Sequence, residues 1–432
     1  RDAQESRGLG DVYKRQAQQN SYVTIPRAAN SFDNTEIAAN VDENIIDSLT
    51  GGRLVGSVTS FENFAECPLR YYLRYGVDLK EREEFTFSPV NFGVVLHAVI
   101  REVCDEIKKN GESYYLISEE KRREMVKRSV AAITDIYQNS ILKDSSRNSF
   151  MIKRMEDLAD RTVWAMGEQL KCGDFVPFVF EHKFNMEVGD GDRKQLMSGT
   201  IDRVDICENG TDVYVRIIDY KTGKKDFNIV KTYYGIDIQL MVYMEAAMKL
   251  VAKMRPGKNV IPAGVFYYNI SDPIVSATTE SAEEIEDKIK GELRLKGMVN
   301  SDKDIAEKMD NTEGTSLNIP VSRKADGGFD SRRSKVMNTE QFNILGRFVD
   351  VRAIDTADRI AGGDIRRSPY KDGQFSSCDR CPYGAVCGFS VDLPGCNYRK
   401  LKKFDDEVLW NNIKEGVDEN GKKMDTGAEE RD

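Results

Sequence analysis

The stretch Tyr214-Val-Arg-Ile-Ile-Asp-Tyr-Lys-Thr-Gly223 runs an apolar segment into a glycine and sets a carboxylate and an amine two residues apart at its end. Side chains on a strand alternate between faces, so Asp219 and Lys221 continue the row Val213, Val215, Ile217. Burying ionised groups costs several kcal/mol unless they are paired or bind a metal. The strand therefore ends either in an ion pair or in a site.

Its neighbours share its period of two. Phe178 to Val188, Gln195 to Ile206 and Asp212 to Lys221 read as three hairpin-linked strands, with turns at Asp190-Gly-Asp192 and Glu208-Asn-Gly210. Within Ser198-Gly-Thr-Ile-Asp-Arg-Val-Asp205, Asp202 shares a face with Thr200 and Val204, and hairpin pairing would carry it toward Asp219. Two carboxylates brought together repel unless one is protonated or a cation lies between them. A divalent metal satisfies both and leaves Lys221 to stabilise charge developing on a phosphorane oxygen.

Before the strands the period is 3.6. Thr59-Ser-Phe-Glu62 reads as a capping box opening a helix that Pro68 interrupts and Gly76 ends. Leu96, Ile100, Val103 and Ile107 mark an amphipathic helix over 89–109, with His97 one step off the apolar row. Charged amphipathic helices follow over 119–142 and 150–171. After the strands come a helix over 236–253, a fourth strand from Pro262 to Ile270, and a helix over 339–361 between Asn338 and Gly362-Gly363. Gln239 and Tyr243, at i and i+4, project from one helix face. Residues 297–337 read as an exposed excursion and 403–432 as a polar tail.

The 432 residues carry a formal charge of −9, which argues against a globally basic nucleic-acid coat while leaving room for a basic cleft. No apolar run reaches the roughly 18 residues a membrane span needs, and no signal peptide is present, so a soluble, intracellular protein is expected. Residues 1–16 are expected to be non-native or disordered, and 17–53 to be the end of an upstream region or a linker. Of eight cysteines, Cys378-x-x-Cys381 and Cys387 have metal-ligand spacing in a loop containing proline and glycine. Cys396 as a local zinc knuckle and the distant Cys67 are comparable as the fourth ligand.

Taken together, Gly93-x-x-x-His97, Gly199-Thr-Ile-Asp202-Arg-x-Asp205, Ile218-Asp-Tyr-Lys-Thr-Gly223 and Gln239-Leu-x-x-Tyr243 resemble, in order, the RecB-type branch of PD-(D/E)XK nucleases. The resemblance implies an α/β, restriction-endonuclease-like core: a mixed central sheet flanked by helices, with a helical insert. It implies Mg²⁺ or Mn²⁺ held by His97, Asp202, Asp219 and the main chain of Tyr220. Lys221 would position or activate water, and Gln239 and Tyr243 would touch the DNA backbone beside the site.

Glu66-Cys-Pro-Leu-Arg-Tyr-Tyr-Leu-Arg-Tyr75 ahead of these motifs, with the three cysteines behind them, is similar to the iron–sulfur nucleases. This tips the fourth ligand toward Cys67 and implies a [4Fe–4S] cluster on Cys67, Cys378, Cys381 and Cys387, stapling a nuclease domain over 54–402. Among these nucleases the AddB-type helicase-nuclease subunits are most similar, from Gly52-Arg-Leu-Val-Gly-Ser-Val58 to Gly363-Asp-Ile-x-x-Ser-Pro-Tyr370. That resemblance implies cleavage of single-stranded DNA during double-strand-break repair, a bacterial cytoplasmic setting, and an AddA-type helicase-nuclease partner. No Gly-x-x-x-x-Gly-Lys-Ser/Thr loop occurs, so nucleotide binding would lie in the upstream region and the partner. The alternatives are a stand-alone nuclease of the CRISPR-adaptation type and a non-catalytic DNA-binding scaffold. Arg70, Arg74, Arg366 and Arg367 are candidates for lining a DNA path, or are solvated surface charge.

Overall fold

Alternation along Asp212–Lys221 is what divides the molecule into layers. Val213, Val215 and Ile217 enter one core, while Tyr214, Ile218 and Tyr220 enter another on the opposite face. A strand buried on both faces reads as a near-continuous apolar run, which is the pattern here. The computed structural model describes residues 40–42, 45–46, 55–80, 89–136, 146–188, 195–275, 281–393 and 396–429. The readings made for residues 1–39 and for most of 43–54 lie outside the described residues.

Strand β1 (Val55–Ser57) leads into α1 (Val58–Glu66), followed by a short helical turn and a π-helical turn ending at Gly76. The helical layer is α2 (Pro89–Lys109), α3 (Glu119–Ile136) and α4 (Ser146–Lys171). Then come β2 (Val176–Val188), β3 (Gln195–Asn209), β4 (Asp212–Lys221), α5 (Gln239–Met254) and β5 (Asn259–Asn269). The chain continues through β6 (Lys296–Asn300), β7 (Val336–Met337), α6 (Thr339–Ala361) and α7 (Asp406–Glu429).

The strands form one mixed sheet in the order β1-β3-β4-β5-β6-β7, with β2 on the other edge of β3. β4 and β5 are parallel, and α5 makes the crossover that parallel neighbours require. Helices α1, α5, α6 and α7 cover one face. Helices α2, α3 and α4 cover the other. Among the described residues no helix is long and apolar enough to cross a membrane.

Three expectations change. The first helix is capped by Ser57, whose side chain accepts from Ser60 N, and not by Thr59. Residues 297–337 are no excursion: β6 pairs with β5, a helix spans Lys303–Met309, and Val299, Ile305, Met309, Ile319 and Val321 are buried. Turn-forming residues between these apolar positions hide their period. The polar tail is helix α7 as far as Glu429, which buries Leu409 and Ile413 and lays Gly416 against the Phe348 ring, so that a Cβ there would come within 2.8 Å of it.

On the face of the sheet covered by α2, α3 and α4, Asp205 receives both Arg203 Nε and Nη2, at 2.7 and 2.6 Å, and Arg216 Nε at 2.8 Å. All three side chains are essentially inaccessible. The motif residue Asp205 is thus spent on holding two buried cations under the sheet and takes no part in the site described below.

Where α5 meets α6, Asp350 shares a hydrogen bond with Glu245, and burial followed by that second carboxylate pushes the Asp350 carboxyl up to about 8. The folded protein therefore keeps a proton that the unfolded chain releases near pH 4, and stability falls as pH rises from there to about 8. Asp350→Asn is expected to stabilise the protein by roughly 1–2 kcal/mol above pH 8 and by little near pH 4, allowing for partial solvent screening. Thermal melts of both proteins across that range check it.

Candidate active site

The hairpin of β3 and β4 is regular from Asn209↔Asp212 up to Arg203↔Ile218, and there it forks. Beyond the fork β1 takes over the same edge of β3, at Leu196–Ser198, leaving Gly199–Asp202 without a strand partner on that side. Asp202 fills part of the gap with its side chain, since its Oδ2 accepts the Tyr220 N–H at 2.6 Å in place of a ladder carbonyl. Asp202 and Asp219 are therefore the first residues past the fork, and the two carboxylates face each other's field. Burial, then Asp202, push the Asp219 carboxyl up to about 6, against the pull of Lys221.

From the helical layer above, α2 lowers His97 to the fork. His97 Nδ1 lies 3.3 Å from Asp202 Oδ1 and 3.6 Å from Glu181 Oε1, and its ring meets Tyr220 edge-on at 5.9 Å. Burial pulls the imidazole down, but the hydrogen bonds from Asp202 and Glu181 outweigh it and raise it to about 10. Glu181 is a residue that the sequence motifs do not mark. It lies on β2 between the pairs Phe180↔Arg203 and His182↔Ile201, with φ at 48°, a left-handed conformation uncommon for a residue with a Cβ. Strand periodicity carries no signal for such a twist.

The opposite layer supplies the amine's setting. Lys221 Nζ is 2.6 Å from Asp219 Oδ2 and donates to Gln239 Oε1 at 3.0 Å, and Gln239 Nε2 reaches the Tyr243 hydroxyl at 2.8 Å. Gln239 and Tyr243 are both buried, so what they contact is Lys221 and the sheet. Tyr243 packs edge-on against Phe184 at 5.6 Å over Gly199, where a Cβ would fall 2.7 Å from the Phe184 ring and 3.0 Å from Tyr243. Only glycine fits there. Glu62 of α1 caps α5, its Oε1 accepting Ile238 N at 2.9 Å and Gln239 N at 3.0 Å. Burial pushes that carboxyl up to about 7.

These donors fit a hard divalent cation. The ligand atoms of His97, Glu181 and Asp202 lie within 4.8 Å of one another, and oxygen ligands with one imidazole suit Mg²⁺ or Mn²⁺. Asp219 Oδ2 is buried and meets no donor in hydrogen-bond geometry despite the nearby Lys221, an oxygen with capacity for a cation.

A family model described as the PD-(D/E)XK nuclease superfamily matches residues 56–388. The chain belongs to that superfamily. PD-(D/E)XK nucleases are metal-dependent, in keeping with the donor set. The chain is also similar to proteins named as AddB-type subunits of an ATP-dependent helicase/deoxyribonuclease. The one from Caldanaerobacter subterraneus subsp. tengcongensis is 34% identical over 90% of this chain. Those from Lachnoclostridium phytofermentans and Clostridium botulinum strain Hall are 34% and 32% identical over 88% and 95%. The chain spans 34–36% of the length of these relatives.

In this nuclease the four expected cysteines come together from opposite ends of the matched region. Burial pushes the Cys378 thiol up to about 11; the Tyr398 hydroxyl offsets part of this, and the thiols of Cys67, Cys381 and Cys387 add to it. Cys67 is raised by burial and held back by the backbone N–H groups of Arg70, Ser368 and Leu69. Cys396 is buried and is not among the thiols that act on Cys67, Cys378 and Cys387. Hydrogen bonds brace the meeting point: Leu69 N to Arg366 O at 3.3 Å, Ser377 Oγ to Glu66 O at 3.4 Å, Tyr383 OH to Leu79 O at 2.9 Å, and Arg399 Nη2 to Ala65 O. Three of the four arginines considered for a DNA path are engaged here. Arg70 pairs with Glu66, Arg366 with Asp364 at 2.6 Å, and Arg367 donates to Cys387 O at 3.0 Å, while Arg74 lies over the Tyr75 ring.

Replacing Glu181 by Ala is expected to weaken Mn²⁺ binding at least tenfold, roughly the scale seen when a group orienting a metal ligand is lost. Titration calorimetry on wild type and variant measures this; equal affinity would show that Glu181 does not serve the cation.

Proposed function

We propose that this chain is the nuclease part of an AddAB-type helicase-nuclease, hydrolysing phosphodiester bonds of single-stranded DNA that unwinding delivers during double-strand-break repair. The observation that carries the reading is the fork itself. It gathers His97, Glu181, Asp202 and Asp219 around one point and aims Lys221 at it. The relatives named as helicase/deoxyribonuclease subunits support the assembly, with an AddA-type protein as partner.

His97, Asp202, Asp219 and the Tyr220 main chain would hold the cation, with Glu181 as an added carboxylate. Bound Mg²⁺ or Mn²⁺ supplies charge neutralisation at the phosphoryl oxygens and a more acidic water. The chain's own contribution is orientation. Asp219 and Gln239 hold the Lys221 ammonium on the side where water would approach, and that group stabilises the added negative charge on phosphorus. Water oxygen bonds to phosphorus as the phosphorus–oxygen bond to the leaving sugar breaks. The water gives up one proton, and the leaving oxygen takes one up.

Asp219→Ala and Lys221→Ala are each expected to lower Mg²⁺- or Mn²⁺-dependent cleavage of single-stranded DNA by at least a hundredfold, with melting behaviour preserved. Undiminished cutting by both variants would sink the reading and favour a scaffold that only binds DNA.

For the cysteines, the proposed cofactor is a [4Fe–4S] cluster on Cys67, Cys378, Cys381 and Cys387. Four thiols converge in a partly buried pocket, with N–H groups directed at Cys67, a setting that stabilises thiolate ligands. Anaerobically purified protein is expected to be brown with about four irons per chain, a content that Cys67→Ala lowers. Colourless protein carrying one zinc and indifferent to Cys67→Ala would replace the cluster with a zinc site.

A further inference from the structure

One residue past Lys221 the chain enters the wall of a cavity of about 920 Å³ that the site described above does not use. Thr222 to Asp226 form one side, α2 contributes Phe92, α4 contributes Arg154, and the start of β6 contributes Lys296. The wall is tied to the catalytic strand. Ile270 N donates to Lys221 O at 2.8 Å, while Asn269 accepts from Lys225 N at 2.9 Å and donates to Lys225 O at 3.0 Å.

The charges in this cavity are unevenly matched. Among the described residues, Asp226 is paired with Lys335 at 2.6 Å and Asp272 with Arg161 at 3.3 Å. Lys225 is held by Asp237 at 3.0 Å. Among those residues Arg154, Lys224 and Lys296 have no carboxylate partner, and Glu292 is the one acid in the lining without a cation. In a chain of formal charge −9, a concave surface with unpaired cations beside a nuclease site is a local positive field that draws in a polyanion. The floor is apolar, made by Phe92, Met151 and Leu158. An apolar floor under a cationic rim suits bases stacked on side chains with phosphates at the edge, an arrangement open to single strands because duplex pairing hides the faces of the bases.

We propose that this cavity seats the nucleotides of single-stranded DNA next to the bond being cut, with their bases on the Phe92 side and their phosphates against Arg154, Lys224 and Lys296. The inference rests on the nuclease reading and adds to it where the strand lies. It leads substrate to Lys221 along the turn that follows it.

The test uses the full-length protein with any subunit that copurifies, and a fluorescent single-stranded oligonucleotide in Ca²⁺ for binding and in Mg²⁺ for cleavage. The triple variant Arg154→Ala/Lys224→Ala/Lys296→Ala is expected to bind at least tenfold more weakly. Its slope of log affinity against log salt should be shallower by about two to three, near one per lost phosphate contact. KM should rise while kcat at saturation is kept, and Arg154→Lys/Lys224→Arg/Lys296→Arg should restore wild-type binding. If the wild type cuts and the alanine variant binds with unchanged affinity and salt slope, the cavity proposal is overturned and the nuclease reading stands. If the wild type neither binds nor cuts single strands, both fall.

Discussion

A single hydrogen bond sets the geometry of the site: the Asp202 carboxylate accepting the Tyr220 N–H where β3 and β4 separate. A sheet that stayed paired would spend both backbones on each other and leave no space between the strands. A sheet that simply frayed would leave a buried N–H without an acceptor, at a cost of about 1–3 kcal/mol. The side chain resolves this by standing in for the missing carbonyl, and the same act fixes one of its oxygens. The other is left facing His97 and Glu181.

The two layers then complete the site from opposite sides. His97 descends from the layer built by α2, α3 and α4, while Lys221 is held through Gln239 and Tyr243 from α5. Glu62 reaches the start of α5 from α1, so the glutamine that grips Lys221 is itself fixed by a carboxylate at its own backbone. Aligned N–H groups at a helix start favour such a carboxylate. Positioning is thus passed from helix to helix before it reaches the amine.

Much of this is legible in the sequence, for identifiable reasons. The three central strands and α5 follow from strong periodicity, and the convergence of Asp202 on Asp219 follows from the parity of a hairpin. Glu181 is not legible, because its role depends on a left-handed residue inside a strand. Glu62 has the spacing to cap its own helix and instead caps α5, a choice made by packing between α1 and α5 across a separation of 176 residues. The region 297–337 and the last helix escape for a different reason. Their buried residues are sparse and set among turn formers and charges, so local composition outweighs the few apolar contacts that dock them. Gln239 and Tyr243 are visible by spacing and look suited to contact with DNA, whereas burial turns them toward Lys221.

Drawing a metal site from both helical layers makes it a gauge of how those layers lie against the sheet. His97 and Lys221 have no common helix, and the distances that join them pass through side chains no longer than a glutamine. A slide of α2 along the sheet by a fraction of a helical turn would leave every helix intact and each core still apolar, yet would part the imidazole from the carboxylates. On warming, such a molecule is built to fall silent while its secondary structure persists, so that catalytic loss would precede unfolding.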